Sequence, residues 1–318
     1  MLSSSARPAP LDRAALDRAL PDPPVSRFAP APTGLLHLGH VVNALYVWGV
    51  TRAAGGRVRL RIEDHDRDRS RPAFEAAILD DLEWLGFLPD EPPIAALRAG
   101  PCAAGRQSDR TAIYEAALDR LRRQGLVYAC ACSRAGITAA GGGAGGELRY
   151  PGTCADRGLA EGPGLGLRVR LAPSVERFDD LRLGPQEQRP FEQCGDLLVR
   201  DRLGCWTYQF AAAVDDLDQG VTLVIRGEDL LASSTGRQIQ LARLLGRKQP
   251  AAFLHHPLIM KSATQKLSKS DGGTGVRDLR ASGRTAAEVI GLAAALVGLQ
   301  NEPRPVTAAD VGGLLFGR

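Results

Sequence analysis

The run from Arg27 to His40, Arg-Phe-Ala-Pro-Ala-Pro-Thr-Gly-Leu-Leu-His-Leu-Gly-His, restricts this chain more than any other stretch. Val25 and Phe28 belong to a short apolar strand. Pro30, Pro32 and Gly34 then break it, and Val41, Val42, Leu45, Tyr46 and Val47 continue as an apolar helix. A strand turning sharply into a helix presents unpaired amide N–H groups at the positive end of the helix dipole, a geometry suited to anions. Two imidazoles stand at this turn, spaced His37-x-Gly39-His40, and each can donate a hydrogen bond to a phosphoryl oxygen. Gly39 leaves space for a ligand to approach the backbone. The same two histidines also read as polar helix caps or metal ligands, and the turn alone does not decide.

The next strand, Val58 to Ile62, alternates in polarity and ends in the acidic turn Glu63-Asp64-His65-Asp66. Strand, helix and strand at this spacing predict a parallel sheet with ligands at the strand C-terminal ends, where these carboxylates lie; a solvated turn is the plainer reading. A second set of strand and helix patterns begins near Asp196 and includes Thr222 to Gly227, so the expected fold is α/β. It is a Rossmann-like parallel sheet split by an inserted module and followed by a short helical segment. The expected boundaries are a flexible extension at 1–24, in which the run Leu11 to Leu20 could make a short helix, a first half at 25–105, the module at 106–195, a second half at 196–258, and a Lys-containing loop with helices at 259–318.

Cysteine usage points to metal inside the module. Cys130, Cys132 and Cys154 are arranged Cys-x-Cys…Cys, while Cys102, Cys194 and Cys205 have no such spacing. A tetrahedral site needs a fourth ligand, and no histidine lies in that window. Six scattered cysteines and no secretory pattern place the chain in the reducing cytoplasm, and no run of 18 apolar residues indicates a membrane span. The net charge of +4 is compatible with a nucleic-acid partner. Of 40 basic residues only four are lysines, and three of them fall between Lys261 and Lys269, which suggests a requirement for a compact ammonium there. A chance cluster is the alternative.

His37-x-Gly39-His40 together with Lys266-Leu267-Ser268-Lys269-Ser270 resembles the paired signature motifs of the class I aminoacyl-tRNA synthetases. The longer match from Arg27 to His40, and Arg61-Ile62-Glu63-Asp64-x-Asp66, are similar to the glutamyl branch. The likeness covers roughly residues 25–275 and departs mildly at Ala31, where serine is common. It implies ATP and L-glutamate as substrates, with Mg²⁺ accompanying the ATP. His37, Gly39, His40 and Lys269 would bind the nucleotide, and His37, His40, Lys266 and Lys269 would act on its phosphates. The amino acid would sit among Arg27, Phe28, Ala29, Pro30, Ala31, Glu63, Tyr208 and Arg226. Glutamate carries two carboxylates and one ammonium, so two guanidinium forks and one acid meet its needs: Arg27 for the side-chain carboxylate, Arg226 for the α-carboxylate, Glu63 for the ammonium.

Cys130, Cys132, Tyr150 and Cys154 resemble the Cys-x-Cys…Tyr-x-x-x-Cys zinc pattern of the glutamyl-queuosine tRNA(Asp) synthetases, which would make the zinc structural. Members of that group act on tRNA(Asp) bearing queuosine and have no anticodon-binding domain after the Lys-rich loop, as is expected here; a monomer is also expected. Three other functions fit parts of the pattern. They are a shortened glutamyl-tRNA synthetase charging a 3′ end, a non-catalytic tRNA- or glutamate-binding paralogue, and a small nucleotidyltransferase.

Overall fold

The structure is a computed structural model, described for residues 10–20, 23–142, 148–260 and 274–316. Its first half is a strand–helix–strand unit. β1 (Val25–Phe28) leads through the Pro/Gly turn into α2 (Leu38–Ala53), which returns to β2 (Arg57–Leu60). β1 and β2 pair in parallel, Val25 opposite Arg57 and Phe28 opposite Leu60. The α2 helix is apolar on nearly all sides because it is covered on nearly all sides, its residues from Val41 to Val50 lying almost wholly in the core. α3 (Pro72–Leu85), started by proline and closed by the left-handed Gly86, buries Ile78, Leu82 and Leu85 in the same core.

α1 (Arg13–Ala19) precedes all of this, within the Leu11–Leu20 run that could form a short helix. The segment read as a loose extension contains a helix capped by Asp12, with Leu16 buried in the main core. Leu11 donates its N–H to the carbonyl of Leu315, joining α1 to α12 (Val311–Phe316) at the other end of the described chain. One apolar side chain every turn suffices when a neighbouring helix closes over it, and the short Leu11–Leu20 run gives little periodicity to read.

After α4 (Ile94–Ala99), α5 (Thr111–Arg123) leads to β3 (Val127–Cys130) and α6 (Arg134–Ile137). β4 (Gly166–Val169), β5 (Glu176–Asp180), β6 (Gly184–Gln188), α7 (Pro190–Cys194) and β7 (Leu197–Arg200) follow. β3, β4 and β7 form one antiparallel sheet. The strand expected to open the second half at residue 196 is therefore β7, paired with β4. Conversely, β5 and β6, expected inside the 106–195 module, belong with β9 (Ala252–His256). A strand's own sequence pattern gives no partner.

α8 (Tyr208–Asp218) leads to β8 (Leu223–Gly227), which pairs in parallel with β9 from Leu223 opposite Ala252 to Gly227 opposite His256. α9 (Gly236–Leu244) connects the two strands. Thr222 donates its N–H to Val25 O at 2.9 Å, and its hydroxyl accepts from Val25 N, so the second half lies beside β1. α10 (Val276–Ala281) and α11 (Ala286–Leu296) complete the described helices, α11 with a Thr285/Glu288 capping box. Among the described residues no helix is long and apolar enough to cross a membrane.

Because Leu16 is 2% exposed and packed among core residues, Leu16→Ala is expected to lower unfolding free energy by roughly 2–5 kcal/mol. A urea melt unchanged in midpoint would show that α1 is not part of the folded unit.

Candidate active site

The C-terminal ends of β1, β2, β8 and β9 open into one cleft of about 700 Å³, a size suited to small-molecule ligands. Arg27, Phe28, Ala29, Pro30, Ala31, His37, Gly39, His40, Glu63, Tyr208 and Arg226 all line it. Residues separated by nearly two hundred positions thus face one space. Lys266 and Lys269 lie outside the described residues. The chain on either side of them does reach this region. Ile259 lines the cleft, and Gly275 forms a β-bridge with His37, with Leu38 N donating to Thr274 O and Val276 N to Leu36 O.

The two histidines serve as caps as well as lining the cleft. His37 is the N-cap of α2, its Nδ1 accepting the Gly39 N–H at 3.0 Å, while His40 Nδ1 accepts the His37 N–H at 3.1 Å. This is a capping box built from imidazoles. In the neutral rings the remaining proton then sits on Nε2. Gly39, which lines the cleft, has a second reason to be glycine. A Cβ there would fall 2.8 Å from His37 Cε1, so the glycine makes room for the capping ring.

Below the cleft floor lies a buried ion network. Asp216 Oδ1 accepts from Arg27 Nε at 3.1 Å and from Arg61 Nη1 at 2.7 Å, and Arg61 Nη2 donates to Glu63 at 3.1 Å. Burial pushes the Asp216 carboxyl up, but Arg27 and Arg61 outweigh it and hold it down at about 2. The adjacent Asp215 accepts from Arg110 Nε, Gln107 Nε2 and the Tyr114 hydroxyl at 2.7, 2.7 and 3.0 Å. Arg27 and Glu63, read as direct ligands of an amino acid, each already hold a protein partner; Arg27 Nη1 also donates to Ile225 O. In the acidic motif, Asp64 accepts the Ser108 N–H and Asp66 pairs with Arg69.

Arg226 is 4% exposed and stands among neutral acceptors: His255 Nε2 at 3.2 Å, Gln238 Oε1 at 2.6 Å and Thr235 Oγ1 at 2.8 Å. Sequence reading missed His255, His256 and Asn43. His256 stacks on Tyr46, shares a 3.0 Å contact with Asn43 Nδ2, and is pushed by burial down to about 4, so it stays neutral near pH 7. Asn43 carried a legible signal, being a polar residue inside the apolar run of α2, one turn beyond His40.

Away from the cleft, Cys130, Cys132 and Cys154 bring their sulfurs within 4.8 Å of one another and could hold a metal ion. Tyr150 joins them, its hydroxyl 3.4 Å from Cys130 Sγ and accepting the Cys154 N–H at 2.8 Å. The Arg168 guanidinium lies over the Tyr150 ring at 3.6 Å and donates from Nε to Cys130 Sγ. Burial pushes the Cys154 thiol up, but hydrogen bonds from the Ala131 backbone, Cys132 and Tyr150 bring it down to about 7.

Comparison with known proteins agrees with this geometry. Residues 25–285 match the model for tRNA synthetases class I (E and Q), catalytic domain, and the chain belongs to that family of ligases. It is 42% identical over 300 residues to the glutamyl-Q tRNA(Asp) synthetase of Nitratidesulfovibrio vulgaris, covering 91% of each chain. Over 296 residues it is 43% identical to the enzyme of the same name from Symbiobacterium thermophilum, covering 90% of each. Among solved structures, a glutamate tRNA ligase from Elizabethkingia meningosepticum, in complex with its amino acid, superposes with a TM-score of 0.73 at 28% identity. That match covers 91% of this chain and 64% of the ligase, so the chain spans a little under two thirds of its length.

Removing the charge of Asp216 leaves two buried guanidinium groups without it, so Asp216→Asn is expected to cost roughly 3–5 kcal/mol. The Asp216 carboxyl sits below the unfolded value of about 3.9, so its contribution is full above that pH and is lost as pH falls toward 2. Urea melts of both proteins should therefore converge on acidification; a gap that is constant from pH 6 to pH 3 would contradict the assignment.

Proposed function

We propose that the chain condenses L-glutamate with ATP to glutamyl-adenylate and passes the glutamyl group to the queuosine base of tRNA(Asp). The observation that carries this reading is the convergence of His37, His40, Arg27, Glu63, Tyr208 and Arg226 on one cleft. A glutamate carboxylate attacks the α-phosphorus, and pyrophosphate leaves with the electron pair of the broken P–O bond. Such a reaction asks the protein to align the reactants and to offset charge spreading over the phosphates. His37 and His40 approach the phosphates with their Nε2 edges, and Lys266 and Lys269 act on the same phosphates, with Mg²⁺ on the ATP. The glutamate carboxylates lie against Arg27 and Arg226, its ammonium against Glu63, and Tyr208 and the Phe28–Ala31 segment close around it.

The queuosine acceptor rests on the full-length relatives, which bear that name, and on the thiol cluster. Cys130, Cys132, Tyr150 and Cys154 suit a tetrahedral structural zinc: three sulfurs and a phenol oxygen are already gathered in one buried place. When bound, the ion would supply a cross-link between β3 and the Tyr150–Cys154 segment. Charging of the 3′ end of tRNA(Glu) is the second reading, favoured by the likeness to a glutamate tRNA ligase.

Lys269→Ala is expected to lower glutamate-dependent ATP–pyrophosphate exchange on the order of a hundred- to a thousandfold, while glutamate binding measured by calorimetry changes little. Exchange close to wild type would remove Lys269 from the chemistry. With labelled glutamate and ATP, tRNA(Asp) containing queuosine should accept label on the base, and the same tRNA without queuosine should not. Label appearing instead on the 3′ end of tRNA(Glu) would favour the second reading. Metal analysis should find zinc in the purified protein, and Cys132→Ser should reduce it; equal zinc in both would place the metal elsewhere.

A further inference from the structure

The environment of Arg226 assigns a role to two residues outside the proposed ligand set. We propose that Asp180 and His255 are positioning residues that hold the Arg226 guanidinium in place, through an uncharged acceptor, for a carboxylate of the bound amino acid. The inference rests on the reading of Arg226 as a glutamate ligand.

The geometry runs from the strand edge inward. Asp180, the last residue of β5, uses Oδ1 to accept the N–H groups of Arg182 and Leu183, which fixes the carboxylate in its turn. Its Oδ2 accepts the backbone N–H of His255 at 3.0 Å and faces the ring Nδ1 at 2.7 Å. A carboxylate is an acceptor only, so Nδ1 carries the proton. The neutral ring then presents a lone pair at Nε2, where Arg226 Nε donates at 3.2 Å and the Thr235 hydroxyl lies at 3.1 Å. Both His255 and the Asp180 side chain are wholly buried, leaving the imidazole no room to flip to another rotamer without breaking these bonds.

The charge pattern explains why an imidazole is interposed. A carboxylate bonded directly to Arg226 would offset part of its charge, as Asp216 and Glu63 do for the Arg27–Arg61 pair. Instead the hydrogen-bond partners of Arg226 are His255, Gln238, Thr235 and Tyr208, none of them a carboxylate, and Asp180 stands one ring further away. The groups facing the ring are Asp180 on one side and Arg226, Thr235 and, at longer range, Arg27 on the other. Burial and the two cations lower the basicity of His255 and oppose Asp180, consistent with a ring that stays neutral. A protonated ring would direct an N–H at Arg226 and push it from position. Gln238 and Thr235 hold the terminal nitrogens, so the guanidinium plane is fixed at three points.

Three variants and one spectrum test this. His255→Leu removes the acceptor and is expected to raise the KM for glutamate in pyrophosphate exchange by roughly 10- to 100-fold, with kcat and the KM for ATP within about threefold. His255→Gln, which restores a neutral acceptor, should recover most of the glutamate KM. An unchanged glutamate KM in His255→Leu, or an equal rise for ATP, would overturn the proposal. Arg226→Gln separates this from the underlying reading: if it leaves glutamate KM unchanged, Arg226 is not a ligand, whereas a rise there without one in His255→Leu rejects only the relay. Should His255→Leu fail to fold, the wild-type protein with ¹⁵N-labelled histidine still decides. The His255 ring is expected as the neutral Nδ1–H tautomer from pH 6 to pH 8, and an Nε2–H tautomer or an imidazolium would reject the relay.

Discussion

The rest of the site depends on a single buried carboxylate. Asp216, on α8, is shared by Arg27 from the end of β1 and Arg61 from just beyond β2. It therefore fastens the second strand–helix–strand unit to the first at the level where the strands open into the cleft. Its neighbour Asp215 extends the attachment to Arg110, Gln107 and Tyr114 at the start of α5. Buried ion pairs add little net stability compared with well-packed apolar groups, but they admit few alternative arrangements. Here the arrangement sets where the Arg27 guanidinium and the Glu63 carboxylate stand.

Around that clasp, each potential ligand group is held by a partner that determines its charge and direction. The histidines of the Pro/Gly turn use Nδ1 for the α2 cap, which orients both rings before any substrate arrives. Arg61 pairs with Glu63 and keeps that carboxylate at the cleft edge. Arg226 is held by His255, Gln238 and Thr235 with no carboxylate bonded directly to it. Preorganisation of this kind reduces the reorganisation needed when charge develops on a bound phosphate or carboxylate.

The thiol cluster follows a different logic. β3 supplies Cys130, and the Tyr150–Cys154 turn is brought against it, with Tyr150 N donating to Cys194 O at the end of α7. Gly195 adopts a left-handed conformation at that junction, and a Cβ there would meet Tyr150 O at 2.1 Å. Only glycine lets the chain pass so close to the residue that completes the cluster.

Much was legible along the chain because it is local. The strand, Pro/Gly turn and helix from Val25 to Val47, the paired histidines, and the Cys130/Cys132/Cys154 spacing are read directly from residue order, since turn chemistry and periodicity act over a few residues. Long-range pairing was not. The strand pattern beginning near Asp196 does not say which sheet takes it, and a strand's own sequence carries no information about a partner many residues away. Nor could the sequence show that Arg27 is bonded to Asp216 while Arg226 stands against His255, Gln238 and Thr235, or that Asp180 faces His255. Those distinctions depend on which buried charges are brought within hydrogen-bond reach, and only the packing of the two halves against each other decides that.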